Sequence, residues 1–223
     1  MEQPSAVQLW GAIKDWYAEH VPEVLETLNP GADKGTLTEF EGELKREIGK
    51  GLPQGWCDVY LQNDGRNSAT TTCGIFFGVT FLSLAEVHSN WHDWLSVAQE
   101  PFYDDMTESS SFYPAAAIQH KYAAAGWIPF AHDGGGNHLG VDLAPGPKGQ
   151  VGQIINFGPD EENKVVIAPS FEGFLGWQLE QLQNGNIRAA AYEIDGESLQ
   201  GVEVASTPVE LFMDAIPKLF GPK

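Results

Sequence analysis

The residues best equipped for chemistry lie in Trp127-Ile-Pro-Phe-Ala-His-Asp-Gly-Gly-Gly-Asn-His-Leu-Gly-Val-Asp-Leu143. His132, Asp133, His138 and Asp142 carry nitrogen and oxygen donors suited to zinc or a harder cation. Their spacing matches no metal motif: neither His-Glu-x-x-His nor paired cysteines accompany them, and the three glycines blur whether 132 and 138 share a face. A glycine run after a strand could instead cradle phosphate. That mechanism needs a helix starting at the loop, with a Lys or a fingerprint spacing, whereas here a strand follows and Lys is absent. The favoured reading is a turn, in which glycines supply positive φ and Asp133 or Asn137 bonds local backbone N–H groups. No catalytic residue, metal ligand or cofactor is therefore assigned. A metal-dependent hydrolase centred on His132, Asp133, His138 and Asp142 is the competing reading.

Other candidates are weaker. Asp104 and Asp105 pair two carboxylates, but neighbours in a Ser-rich loop point apart into water, where acid–base catalysis is not tuned. Cys57 and Cys73 have no histidine beside them in sequence and read as free thiols, and no Ser-His-Asp pattern or nucleophile elbow occurs. Asp160-Glu161-Glu162 reads as a solvated loop, able to meet Arg or Lys of a partner and speed its association.

The elements that must position these groups follow from periodicity. Val7, Trp10, Ile13 and Tyr17 predict an N-terminal helix, broken by Pro22 and Asn29-Pro30-Gly31. Thr38 with Glu41 has capping-box spacing before Phe40, Leu44 and Ile48, and Gly49 and Gly51 end that helix. Pro53 opens another, carrying Trp56, Val59, Tyr60 and Asn63 to Asp64-Gly65. Residues Ala69 to Phe77 read as a strand. Ser83 with Glu86 repeats the capping-box spacing ahead of Val87, Trp91, Trp94, Leu95 and Ala98. Asp104 to Ser111 reads as an exposed loop, and Ala115 to Ala125 as a short helix. Four short strands then follow at Trp127–Ala131, His138–Leu143, Gln153–Phe157 and Lys164–Ala168. Their connections are too short for crossover helices, so an antiparallel meander is expected. A helix carrying Phe171, Phe174, Leu175, Leu179 and Leu182, a hairpin over 187–204 around Asp195-Gly196, and a closing helix at Leu211, Phe212, Ala215 and Leu219 complete the chain. Trp91, Trp94, Trp127 and Trp177 read as core. The fold class is α+β, a mainly antiparallel sheet with helices packed against it, expected as one domain over 1–223.

Composition narrows the partners. The 223 residues hold 12 Lys and Arg against 31 Asp and Glu, a net charge of −19, with 42% apolar residues and 25 aromatic ones. That supports a folded core and makes nucleic acid and anionic lipid poor partners. No apolar run approaches the roughly 20 residues of a membrane span, and Met1 to Trp10 lacks a basic segment leading into an apolar one, so a cytoplasmic location is expected.

Trp127-Ile-Pro-Phe, Asp133-Gly-Gly-Gly-Asn, Leu139 to Leu143, Gly149 to Ile155 and Val166-Ile-Ala-Pro-Ser-Phe-Glu-Gly-Phe-Leu175 occur in an order that resembles the core of the SUKH superfamily, Smi/Knr type. Leu52-Pro53, Tyr60-Leu-Gln-Asn-Asp-Gly65, Phe76-Phe-Gly and Phe81-Leu-Ser-Leu extend the likeness, giving a family-like core over about 36–184. The insert from Glu100 to Ala125 and the tail after Ile187 depart from it. The resemblance implies a SUKH-like domain used as a protein-binding platform, with no catalytic residues to carry over. Bacterial members are commonly immunity proteins against polymorphic or contact-dependent toxins, and fungal members act in cell-wall signalling. The leading expectation is thus a non-enzymatic bacterial immunity protein that occludes a basic toxin domain. Asp133, Asn137, Asp142, Asp160, Glu161 and Glu162 are the expected partner contacts. A regulatory scaffold is the alternative.

Overall fold

Helix α1 (Ala6–His20) starts at Ser5, whose side chain and that of Gln8 cap each other's backbone N–H groups. The computed structural model of the protein describes residues 3–67, 73–100, 104–194, 197–204 and 212–222. After α2 (Pro22–Glu26) comes α3 (Lys34–Ile48), capped by Asp33, which accepts from Thr36 N at 2.9 Å, and ended by Gly49 at φ 69°. The Thr38–Glu41 capping box is corrected: Thr38 lies inside α3 and donates to Lys34 O at 2.8 Å. Helix α4 (Gln54–Tyr60) and strand β1 (Thr80–Phe81) lead to α5 (Leu84–Gln99). At α5 the Ser83–Glu86 capping box forms as the spacing predicts, and Asp64 accepts a further bond from Leu84 N at 2.6 Å.

The strand expected at Ala69 to Phe77 falls partly outside the described residues. Its described end forms tight bridges, Gly74 with Gly78 and Phe76 with Val79, before the strand proper begins at Thr80. Two further corrections concern the insert. Asp104 to Ser111 holds a short helix, α6 (Asp104–Glu108), and starts β2 (Ser111–Tyr113). Ala115 to Ala125 is a series of turns, because Ala116 and Ala117 carbonyls accept from Lys148 N and Gly146 N at 3.0 Å and the Gln153 amide takes Ala117 O at 2.9 Å. Tertiary bonds take the acceptors that a helix would use, overriding alanine's propensity.

The meander is as expected. Strands β3 (Trp127–His132), β4 (His138–Asp142), β5 (Gln153–Phe157) and β6 (Asn163–Ala168) pair antiparallel, β1 joins β3 antiparallel, and β2 adds one parallel pair to β6. The order across the six-stranded sheet is β1-β3-β4-β5-β6-β2. Helix α7 (Phe171–Gln183), capped by Ser170, packs on β5 and β6 and against α1. The tail forms the expected hairpin, β7 (Ile187–Ile194) with β8 (Glu197–Val204), and the closing helix α8 (Phe212–Phe220) lies on β6. The hairpin's Asp195-Gly196 tip and Leu211 lie outside the described residues.

Trp91 and Trp127 are fully buried and Trp94 nearly so, while Trp177 is half-buried against Phe77, Phe212 and Phe220. Cys57 and Cys73 are free thiols. No described helix is long and apolar enough to cross a membrane.

Candidate functional site

The β3–β4 turn is organised by one carboxylate. Asp133 Oδ1 accepts from Gly135 N at 2.7 Å and Asn137 N at 3.1 Å, while Oδ2 accepts from the Asn137 amide at 2.7 Å. Gly134 at φ 90° and Gly136 at φ 101° supply the left-handed backbone that lets the chain wrap this anion. The triple glycine is therefore a turn device. His132 is half-exposed, and its Nδ1 accepts from Gly134 N at 2.9 Å.

A second acidic turn is tied to the first. Asn137 Oδ1 accepts from Asp160 N at 3.0 Å, and a side chain on Gly158 would strike that same Asn137 oxygen, so only glycine permits the approach. The β3–β4 and β5–β6 turns thus interlock and present Asp133, Asp160 and Glu162 to solvent along one rim.

The remaining expected contacts lie inward. Asn137 is buried as the linchpin between the turns. Glu161 is buried too: it accepts from the fully buried Asn156, and burial pushes its carboxyl up to about 7 against that bond. Lys164, also fully buried, donates to Glu161 O at 2.9 Å and lies 5.1 Å from the Tyr122 ring centroid; burial pushes it down to about 8. Asp142 has no exposed surface. It sits opposite Gln153 across the β4–β5 ladder and accepts from its amide at 2.9 Å and from Ala144 N at 3.0 Å, while burial pushes it up to about 6. The Asp160-Glu161-Glu162 run is split by the strand entry, two side chains facing out and one in, so its reading as a wholly solvated loop is corrected.

The four donors considered for a metal do not converge. His132 and His138 are cross-strand neighbours with ring centroids 6.4 Å apart, but His138 is buried and bonded to Asn90 at 3.0 Å, and Asp142 is at the opposite end of β4. Among the described residues another cluster does converge, one that sequence reading missed. Glu43 of α3 meets His88 and His92 of α5. The four-residue spacing of two histidines on a predicted helix was the available signal.

An α+β domain that displays a carboxylate rim while keeping its buried cation internally bonded is, by class, a candidate protein-recognition domain. The chain belongs to the SMI1 / KNR4 family (SUKH-1), whose model matches residues 31–177. It is 34% identical over 79% of its length to the glucan synthesis regulatory protein of Neurospora crassa, covering 38% of that protein. It is 33% identical over 82% of its length to the cell wall biosynthesis/cell cycle regulator smi1 of Schizosaccharomyces pombe, covering 37%, and 31% identical over 79% to the cell wall assembly regulator SMI1 of Saccharomyces cerevisiae, covering 40%. The chain thus spans about two fifths of the length of these relatives. They are fungal regulators, which corrects the expectation of a bacterial immunity protein directed at a toxin. The residues that carried the resemblance are turn and strand devices, and such devices specify a fold without specifying its partner.

Proposed function

We propose that this chain is a protein-binding regulatory domain in the control of cell-wall glucan synthesis, acting in the cytoplasm through its acidic rim and without covalent chemistry. The observation that carries the reading is the interlock of the two turns through Asn137, which holds Asp133 and Asp160 on a shared, stiffened edge. Preorganised charge of this kind speeds and orients the approach of a basic protein surface. The printed names of the relatives supply the process, as regulators of glucan synthesis and wall assembly. The net charge of −19 argues against nucleic acid as the partner.

The test replaces the matching segment of the fission yeast regulator with this chain, scoring resistance of the cells to wall digestion by glucanase. Resistance restored by the chimera, and lost on Asp160→Lys with Glu162→Lys while the purified variant melts as the parent does, is the expected result. A chimera that leaves cells sensitive defeats the regulatory reading, and a charge-reversed chimera that protects them fully defeats the acidic rim.

A further inference from the structure

Away from the rim, α3 and α5 bring three metal-competent side chains to one point. His88 and His92 are four residues apart, so one face of α5 carries both imidazoles, one turn above the other. Glu43 faces them from α3: His88 Nε2 lies 2.8 Å from Oε2, and His92 Nε2 lies 2.8 Å from Oε1. All three donor atoms fall within 4.8 Å of one another. His88 packs edge-on against Phe40 at 5.6 Å, and its ring lies 4.5 Å from that of His92.

We propose that Glu43, His88 and His92 form a zinc site, the ion taking Nε2 of both imidazoles and the Glu43 carboxylate, with a further position open to water.

Two imidazole nitrogens and one carboxylate suit zinc, whereas calcium and magnesium take oxygen donors throughout. Zinc holds such donors at roughly 2.0–2.2 Å, which in a tetrahedral arrangement sets neighbouring donors about 3.4 Å apart. Each 2.8 Å pair must therefore open by about half an ångström, which side-chain rotation supplies. The histidine side chains are 43% and 44% exposed and Glu43 is 23% exposed, so the movement meets little packing resistance and one side of the ion faces solvent. Without a metal each Nε2 donates its proton to Glu43, so binding frees the Nε2 lone pair by moving the ring proton to Nδ1, where water can accept it. An ion held here joins α3 to α5 and adds positive charge to a strongly acidic molecule. This inference is independent of the regulatory reading.

Metal-stripped whole chain is titrated with Zn2+ by calorimetry, and with Co2+ by visible absorption. The expected result is one equivalent bound, a raised melting temperature, the d–d bands of low-coordinate Co2+, and shifted imidazole resonances of His88 and His92. His92→Ala and Glu43→Gln, each folded as the parent by circular dichroism, should weaken Zn2+ about tenfold or more. Failure to bind a stoichiometric ion overturns the proposal. So does binding that persists unchanged in the two variants, or that leaves the His88 and His92 resonances of the parent protein unmoved.

Discussion

His138 illustrates how burial, more than side-chain type, decides what a residue of the central turn can do. Its ring is 2% exposed, bonded to Asn90 and stacked on Phe157 at 5.4 Å, and burial pushes it down to about 4. The ordinary histidine value is about 6.5, so between pH 4 and 6.5 the unfolded chain binds a proton that the folded chain refuses. Stability contributed by neutral His138 is present above that window and is lost as pH falls through it. Asp142 and Glu161 act in the opposite sense, since both are raised, and a difference between two proteins is needed to isolate the histidine. His138→Gln keeps a polar partner for Asn90 and does not titrate. Urea denaturation of both proteins should show the parent losing about 3 kcal/mol more than the variant between pH 6.5 and 4, within a factor of two. Parallel curves would mean that the ring charges freely in the folded state. Such a role is invisible in a linear reading, where His132 and His138 look alike; the distinction arises from Trp94, Phe157 and Asn90, which reach the ring from other elements.

Local pattern and tertiary demand can be compared directly at two helix starts. Thr38-x-x-Glu41 and Ser83-x-x-Glu86 have the same capping-box spacing, yet only the second caps a helix. At α3 the start moved upstream because Asp33 satisfies the first-turn N–H of Thr36, leaving Thr38 on an interior turn. Ser83→Ala should therefore cost about 1 kcal/mol, while Thr38→Ala should change stability by less than about 0.5 kcal/mol. Chemical denaturation of the two single variants decides the matter; equal losses would mean that Thr38 matters as much as a cap. The meander was legible for a related reason, since four short apolar runs joined by Gly, Pro and Asp clusters leave no length for crossovers. The insert was not legible, since the acceptors on Ala116 and Ala117 are claimed by Lys148, Gly146 and Gln153, residues some thirty positions away. The acidic rim was legible as residues, with Asp133, Asp160 and Glu162 among the expected contacts, but not as a surface. Which of Asp160, Glu161 and Glu162 faces outward depends on Asn156, which nothing marks in the sequence, and on Asn137, which reads there as a turn residue and partner contact and not as a tie between two turns.

For the whole molecule the deciding quantity is the spacing of excess charge against the screening length. Nineteen excess negative charges spread over 11007 Å² lie roughly 24 Å apart. The Debye length is about 30 Å at 0.01 M salt and about 8 Å at 0.15 M, so neighbouring charges feel one another in the first condition and are screened in the second. Exposed cations that could neutralise the field locally are scarce, and Lys164, one of the twelve basic residues, is buried beneath the rim. Folding compresses this charge into a compact body, and the unfolded chain relieves it by expanding. Raising sodium chloride from 0.01 to 0.15 M should then stabilise the fold by about 1 kcal/mol, seen as a melting temperature higher by about 2–4 °C. A flat or falling melting temperature across that range would show that the folded state carries no net repulsion, and with it the long-range field invoked for partner approach would lose its basis. The same screening acts in the opposite direction on the proposed association, because the field that strains the folded chain is the one proposed to draw a basic partner to Asp133, Asp160 and Glu162. Salt that raises the melting temperature should therefore slow binding of that partner over the same concentration range, its effect falling on the association rate more than on dissociation.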